Sequence, residues 1–483
     1  MIFKGRPFMI NSQNEKLCFF ANMGKQCSRF FLNRYFYLFL FCAACAISAL
    51  EWEVYGALAF VSLICLILVL CDDIMAAAMP LMLLCVFVTN CYDSAQTFMK
   101  FAWMAVPAVA CILFHFIVYR QKFSMGSSIW GLLAVSVAVS LGGVGRISGE
   151  EYFSPTSIYY TVFLGIGMVG LYLLLKSQLS SKRSYDLKER IVLILYVMGI
   201  FASFVILLNV LPDTSFVGGF KIVNNFQASN NLSTMIMFAM PCTFFFVRNS
   251  KFHLFSALLM AASMVLSGSR AGMIFGVVEL ALCIIVSAVW DKKNRFFYIC
   301  LMLSAIGVII LFRGRIMNML ESAEVYPVVS DGEARMQLID RAIAAFKEDP
   351  IFGHGLGYKG NYDVYDPKSG AMGWYHMMIP QVFASMGVVG IVAYLVQAGV
   401  QIRVVARSLK GAVDKEKALI FTLAMSYVGV FLMSQVNPGL FCPIPYGLMA
   451  TVIFAVMDGD NGMGLFVTLA EKISKKKKNI TAE

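Results

Sequence analysis

The sequence predicts an all-α protein, a polytopic membrane helical bundle of about 12–14 transmembrane helices with one large extracytoplasmic loop that contains an amphipathic helix. Hydrophobic residues make up 59% of the 483 residues and charged residues only 14%, and the mean hydropathy is +0.75. This balance is far more apolar than that of soluble domains. Because hydrocarbon offers the backbone no hydrogen-bond partner, the apolar runs of span length are predicted to be helices.

Apolar runs recur from residue 34 to residue 457. A helix needs roughly 20 mainly apolar residues to cross about 30 Å of hydrocarbon. Fourteen runs come near that length, at about 34–50, 54–71, 74–90, 101–119, 129–145, 157–175, 191–210, 232–247, 254–268, 272–290, 296–312, 376–400, 418–436 and 443–457. The chain is therefore divided into a basic N-terminal segment, eleven transmembrane helices, the large loop, three further helices and a basic tail. These parts cover residues 1–33, 34–312, 313–375, 376–457 and 458–483.

The basic residues set the predicted orientation. The chain has 39 Lys and Arg against 28 Asp and Glu, and most of the basic residues lie at the termini and in alternate segments between the runs. Cationic segments resist translocation, so both termini are predicted to be cytoplasmic and residues 313–375 extracytoplasmic. The positive charge thus indicates orientation, and nucleic acid is not a predicted partner. The tail KISKKKKN could also contact anionic membrane lipid.

The loop of residues 313–375 is predicted to be ordered. Its SDGE at 330–333 has the form of a capping box, in which Ser330 and Glu333 satisfy each other's backbone amides. An amphipathic helix is predicted behind it, ending before Asp349-Pro350. Its apolar residues at helical spacing are Met336, Ile339, Ile343 and Phe346. The stretch FGHGLGYKG at 352–360 follows, with four glycines where the backbone must turn tightly or approach another group closely.

Several cations and one histidine converge on the predicted outer face. Arg270 lies between the ninth and tenth runs, and His376 lies where the large loop returns to the membrane. The other candidates on this face are Arg335, Arg341, Arg313, Arg315 and His354.

Each of these residues also has a structural alternative. Arg270 could be an interfacial anchor, and Arg335 could lie on a solvated helix face. Arg341, six residues further along the same helix, should point away from Arg335 and lie on the surface. Arg313 and Arg315 could simply end the eleventh run, and His354, between two glycines, could have a structural or rim role. His115, inside the fourth run, is predicted to be a core histidine with a hydrogen-bonded partner.

The chemistry of this set favours group transfer from a diphosphate. A guanidinium is always charged and forks onto phosphate oxygens, so several of them can stabilise the charge on a departing diphosphate. A neutral imidazole can accept the proton of an attacking sugar hydroxyl. Outside the cytoplasm, the available donor class is a sugar carried on a polyprenyl diphosphate.

Three motifs resemble those of the O-antigen ligase and O-antigen polymerase superfamily of bacterial membrane glycosyltransferases. The first is S-x-S-R, here residues 267–270, ahead of a helix. The second is an arginine on a loop helix, here Arg335, that runs into P-x-x-G-x-G-x-G at 350–357. The third is a histidine at the start of the next span, here His376, followed by G-x-x-G at 387–390. The resemblance is specific over about residues 260–400.

The resemblance implies a GT-C-like fold in the bacterial cytoplasmic membrane and transfer of a glycan from undecaprenyl diphosphate without a metal or other cofactor. It implies that Arg270 and Arg335 bind the diphosphate and that His376 is the base or orients the acceptor. The expected partners are a polyprenyl-diphosphate-linked glycan donor and an acceptor that is a glycan or a lipid-anchored molecule. Polymerase and ligase differ only in that acceptor. We favour a polymerase because the superfamily has many, and because Met377 replaces the small polar residue usual after the histidine.

Three other functions remain open from the sequence. A metal-dependent GT-C transferase would use the acidic pair Glu51 and Glu53 in the first outer loop. A lipid-linked oligosaccharide flippase commonly has a similar number of helices, but it tends to show two related halves, and no internal repeat is evident here. A noncatalytic scaffold for envelope assembly would not need His376. Resistance of activity to EDTA would separate the arginine–histidine site from the metal-dependent one.

Overall fold

The computed structural model describes residues 22–90, 100–119, 125–142, 161–178, 184–210, 226–267, 269–311, 313–314, 331–356, 358, 374–436 and 444–458. All regular secondary structure in these ranges is helical, which confirms the predicted all-α bundle. The chain divides into two compact units, Met1–Phe123 with Ser177–Ser180 and Ser124–Lys176 with Ser181–Glu483.

Five helices lie in the described part of the first unit. These are α1 (Asn22–Phe31), α2 (Arg34–Ala49), α3 (Glu53–Leu70), α4 (Ala78–Asn90, preceded by the 3-10 turn Ile74–Ala77) and α5 (Ala105–Val118). Helices α1 and α2 meet at 55°, where the Asn33 side chain caps α2 by accepting from the amide of Tyr35. His115 is fully buried, and its Nδ1 lies 2.9 Å from the carbonyl oxygen of Leu68. The prediction of a hydrogen-bonded core histidine is therefore confirmed.

The second unit contains the remaining helices. They are α6 (Ser128–Leu141), α7 (Met168–Gln178, preceded by the π-turn Phe163–Gly167), α8 (Ser184–Val210), α9 (Phe226–Val247), α10 (His253–Leu266), α11 (Arg270–Trp290), α12 (Arg295–Leu311), α13 (Asp331–Glu348), α14 (Met378–Leu409), α15 (Asp414–Met433) and α16 (Ile444–Met457). Helix α9 packs against α8, α10, α11 and α15, and α6 packs along α14. Each of the fourteen predicted runs coincides with one of α2–α12 or α14–α16.

Six described helices are long and apolar enough to cross a membrane, namely α3, α8, α9, α11, α14 and α15. The bent pair of α1 and α2 would add a seventh. Most of the other apolar helices have 10–17 residues. A polytopic bundle is thus supported, while the larger number of about 12–14 crossings and the side on which each terminus lies stay predictions.

Polar contacts fix helix ends within the second unit. The buried Asp458 carboxylate, just after α16, accepts the amide of Ser128 at 2.7 Å and the hydroxyl of Tyr172. Lys188 of α8 pairs with Glu416 of α15 at 2.7 Å. Each contact spans more than 200 residues of sequence, so these groups hold distant helices in register.

Candidate functional site

A network of buried hydroxyls holds the turn that carries the S-x-S-R motif. Ser267 ends α10 and contacts the hydroxyl of Ser233 on α9 at 2.9 Å. Ser269 caps α11, because its Oγ accepts the amide of Gly272 at 3.0 Å. The same hydroxyl donates to Asn230 Oδ1 at 2.5 Å. A β-carbon on Gly272 would lie 2.8 Å from that of Ser233, so the glycine allows α11 to begin against α9.

Arg270 is the first residue of α11. The first turn of a helix presents free amides and the positive end of the helix dipole, which favours an anion there. The motif therefore puts an arginine where the backbone already attracts negative charge, on a turn fixed by the serines. This position agrees with the predicted role of Arg270 in diphosphate binding, which remains a prediction.

Helix α11 runs antiparallel to α15. The ring of Trp290, at the end of α11, lies 4.7 Å from that of Phe421 near the start of α15. Halfway along α11, the carboxylate of Glu279 lies against Gly429 of α15. The start of α11 therefore lies at the same end of the unit as the close of α15.

Helix α14 also begins at that end. The amide of Met378, its first residue, donates to the carbonyl of Ser434 just after α15, at 2.8 Å. The backbone of Arg270 and the segment of His376 therefore lie at one end of the second unit. That this end is the outer face of the membrane remains a prediction.

Helix α13 packs against the start of α14 through small residues. Ala342 and Ala345 are buried in a cluster with Tyr375 and Ala384. The predicted end of α13 before Asp349-Pro350 is confirmed, since the helix closes at Glu348. The predicted cap residue Ser330 lies outside the described residues.

Only part of the predicted apolar face of α13 is packed: the ring of Phe346 contacts that of Phe383 on α14, with centroids 5.6 Å apart. Met336 is 57% exposed and Ile343 39% exposed, whereas Leu338 is buried together with the two alanines. Both sets of residues have helical spacing, so periodicity alone could not choose between them. Small alanines let α13 approach α14 closely, and that packing decides which face is covered.

The glycine-rich stretch and the G-x-x-G motif form one interlocked structure, which we call the glycine interlock and define as residues 349–356 with residues 384–390. On one side of a break in α14, the amides of His354 and Gly355 donate to the carbonyls of Ala384 and Ser385 at 2.9 and 2.8 Å. On the other side, the amides of 388 and 389 donate to the carbonyls of 350 and 351 at 2.8 and 3.2 Å. The two motifs therefore bind each other through the backbone.

The break in α14 depends on glycine. Gly387 has φ +59° and ψ −153°, and Gly353 opposite has φ +67°. L-residues rarely adopt such backbone angles. A β-carbon on Gly387 would overlap the carbonyl of Ile351, and one on Gly353 would overlap the amide of Met386. Both glycines are thus required by conformation and by space.

His376 precedes α14 and does not lie within it. The predicted span began at residue 376, but the helix begins at Met378, because His376 has φ +53°. A left-handed backbone cannot continue into a right-handed helix. Such a conformation in a residue other than glycine is uncommon and clusters at functional sites. Pro380 lies in the first turn, where a missing amide costs nothing.

A glutamine ties the residue before His376 to α14. The side-chain oxygen of Gln381 accepts the amide of Tyr375 at 3.1 Å, and its nitrogen donates to the hydroxyl of Ser385 at 2.7 Å. Both side chains are buried. The segment that carries His376 is therefore tied to the same turn of α14 that joins the glycine interlock.

Several titratable groups lie near Tyr375, the residue before His376. Burial raises the pKa of the Tyr375 phenol, and the nearby Tyr358 and Glu348 raise it further, while Arg341 lowers it. Arg341 is half-buried and close enough to act on this phenol, although the sequence favoured a surface position. The structure therefore adds Tyr375, Tyr358 and Glu348, which sequence reasoning missed, although Tyr375 directly precedes the predicted base.

The other predicted residues are spread more widely. Arg335 is half-buried on α13, and its Nε is shielded from solvent. Arg313 is exposed beyond α12, and Arg315 lies outside the described residues. Glu53 begins α3 and accepts from the Asn90 side chain at 3.2 Å. In the part of the chain that the structure describes, no three His, Cys, Asp or Glu residues are grouped as metal ligands.

The sequence model of the O-antigen ligase family matches residues 255–395. This segment includes Arg270, Arg335, the whole glycine interlock and His376. The resemblance predicted from the three motifs is confirmed by this match. No curated protein and no solved structure matches the chain.

Proposed function

We propose, from the match of residues 255–395 to the O-antigen ligase family, that this multi-pass membrane protein transfers a glycan from a polyprenyl (undecaprenyl) diphosphate donor to a sugar hydroxyl. The reaction takes place on the outer face of a bacterial cytoplasmic membrane and uses no metal. It builds a surface polysaccharide, as a polymerase when the acceptor is another lipid-linked glycan, or as a ligase when it is a lipid-anchored molecule. We favour the polymerase.

The roles of the residues follow from their chemistry. Arg270, at the positive end of α11, and Arg335 on α13 bind the diphosphate of the donor. The acceptor hydroxyl attacks the anomeric carbon, the bond from that carbon to the phosphate oxygen breaks, and the polyprenyl diphosphate leaves with the electron pair. The imidazole of His376 takes the proton of the hydroxyl. The arginines offset the charge that grows on the leaving group.

One observation carries the proposal most strongly. The glycine interlock joins the loop that follows the arginine-bearing α13 to the broken start of α14 through four backbone hydrogen bonds. His376 stands just ahead of that start, in a left-handed conformation. Preorganised geometry of this kind is what a transfer site requires, because a displacement of about 1 Å can lower the rate 10²-fold.

Purified protein, incubated with a polyprenyl-diphosphate oligosaccharide and EDTA, tests the proposal directly. We expect a ladder of longer glycans together with released polyprenyl diphosphate. Arg270→Ala, Arg335→Ala and His376→Ala should each strongly reduce the ladder. Arg403→Ala, which removes an exposed arginine from the far part of α14, should leave it unchanged.

Two results would contradict the proposal. One is loss of the ladder in EDTA with recovery on adding a divalent cation, which would favour the metal-dependent transferase. The other is transport of the lipid-linked glycan across a vesicle membrane with no product formed, which would indicate a flippase. Full activity of His376→Ala would remove this histidine from the mechanism.

A further inference from the structure

His354 occupies an unusual electrostatic position within the glycine interlock. Its side chain is 1% exposed, and its two ring nitrogens lie against two carboxylates: Nε2 is 3.2 Å from Glu348 Oε2, and Nδ1 is 3.5 Å from Asp349 Oδ2. Its ring stacks on that of Tyr358, with centroids 4.4 Å apart and planes 20° from parallel. Both edges of the imidazole thus meet negative groups, and one face is covered by an aromatic ring.

Only the protonated ring suits both neighbours. A neutral imidazole has one N–H and one lone pair, so one of its nitrogens would direct a lone pair at a carboxylate that is itself only an acceptor. The imidazolium carries an N–H on each nitrogen and pairs with both. A buried charge needs such pairing.

The position at the end of α13 favours the same form. Glu348 and Asp349 place two negative charges at the negative end of the helix dipole, which is unfavourable. A cation between them offsets both effects. The stacked Tyr358 ring adds a favourable contact for a planar cation.

The contacts of His354 reach the segment that carries His376. The backbone of His354 binds α14 at Ala384. Its ring supports Tyr358, which is near enough to Tyr375 to act on the ionisation of that phenol. Tyr375 directly precedes His376. A change of charge at His354 therefore reaches the segment of His376 through Tyr358 and then Tyr375.

We propose that His354 is a positioning residue of the transfer reaction, held as an imidazolium between Glu348 and Asp349, so that transfer is lost at high pH when this charge is lost. The inference rests on the proposed function for its link to activity. The titratable and charged groups around His354 are the carboxylates of Glu348 and Asp349, the phenols of Tyr358 and Tyr375, and, beyond Tyr375, the guanidinium of Arg341. The site is a charge clamp, defined as His354 with Glu348 and Asp349.

The pH profile of glycan transfer tests the charge clamp. Glu348→Gln keeps the shape of the side chain but removes one carboxylate, so the imidazolium should be lost at a lower pH. We expect the alkaline limb of the profile to move down by on the order of 1 pH unit, with the acid limb unchanged. Asp414→Asn removes a carboxylate that pairs with Lys417 at the exposed start of α15, and its profile should match the wild type. A uniform loss at every pH in Glu348→Gln would mean that Glu348 is only structural and would overturn the proposal.

Hydrogen exchange provides a readout that does not need activity. The amides of His354 and Gly355 are bonded to α14, and their protection, corrected for the intrinsic exchange rate, should fall as the imidazolium is lost. This fall should occur at a lower pH in Glu348→Gln than in wild type. If the proposed function fails, the shifted protection still supports the clamp. Identical protection in both proteins at every pH would overturn the clamp, whether or not transfer is observed.

Discussion

Replacing Gly387 with alanine should uncouple the two halves of the glycine interlock. The backbone at Gly387 has φ +59° and ψ −153°, which lies in a region used almost only by glycine. The added β-carbon would also overlap the carbonyls of Pro350 and Ile351. These are the carbonyls that accept the amides of Val388 and Val389. Alanine therefore strains the chain at the point where the glycine-rich stretch docks.

The expected cost follows from these contacts. Holding alanine in this conformation costs about 1–3 kcal/mol, and each of the two hydrogen bonds contributes about 0.5–1.5 kcal/mol. The overlap of the added β-carbon is relieved only if residues 350–351 move away from α14. A shift of about 1 Å between the arginine-bearing and histidine-bearing parts of a site can lower the rate 10²-fold. We expect a loss of that order in the rate of glycan transfer.

The matched control is Gly399→Ala in the same helix. A β-carbon on Gly399 meets nothing within 4 Å, and alanine is the better helix former by about 1 kcal/mol. Transfer rates are measured with a lipid-linked oligosaccharide, and the folded fraction by gel filtration and thermal unfolding. A Gly387→Ala protein that is folded and transfers within twofold of Gly399→Ala would refute the reasoning. That result would mean that the conformation of Gly387 is not required for transfer.

Three further variants test neighbouring contacts. Ser269→Ala removes the cap of α11, and should lower the free energy of unfolding by about 1 kcal/mol and reduce transfer. The control Ser304→Ala removes an exposed hydroxyl that is bonded within its own helix and should change neither property. Unfolding and transfer assays compare the two variants. Tyr375→Phe should leave the alkaline limb of the pH profile of transfer in place, because burial raises the pKa of this phenol and keeps it neutral across the working range. Loss of that limb in this variant would mean that Tyr375, and not His354, produces it. Gly429→Ala places a β-carbon on the buried carboxylate of Glu279 and should cost about 1–3 kcal/mol. An unchanged melting temperature would show that this carboxylate turns aside without loss of packing.

Local features of the sequence were enough to predict the described helices except α1, which lies in the segment predicted only as a basic N-terminus. Each apolar run coincides with a helix because span-length apolarity is a property of one segment. The burial of His115 was predictable for the same reason, since a single imidazole inside an apolar run must find a partner. The end of α13 was also local, because Pro350 cannot continue a helix.

The details of the site depend on packing between distant segments, and these were not predictable. The spacing of Met336 and Ile343 is as regular as that of Ala342 and Ala345, and only the presence of α14 decides which pair is buried. The start of α14 moved by two residues because His376 adopts a left-handed backbone. Histidine adopts that conformation more often than most residues, but it is still uncommon, and nothing in the local sequence marks residue 376 for it. The pairing of His354 with two acidic residues likewise needed the folded turn.

The interlock gives a physical reason for the order of the three motifs. Gly353 and Gly387 are needed together, because each glycine makes room for the backbone of the opposite segment. The first segment ends the helix that bears Arg335, and the second lies eleven residues beyond His376 in sequence. A substitution that harms either glycine should therefore affect diphosphate binding and acceptor activation together. Loss of Arg335 alone should weaken donor binding, and loss of His376 alone should slow the chemical step. A glycine variant should differ from either of these by changing donor binding and the rate of the chemical step at the same time.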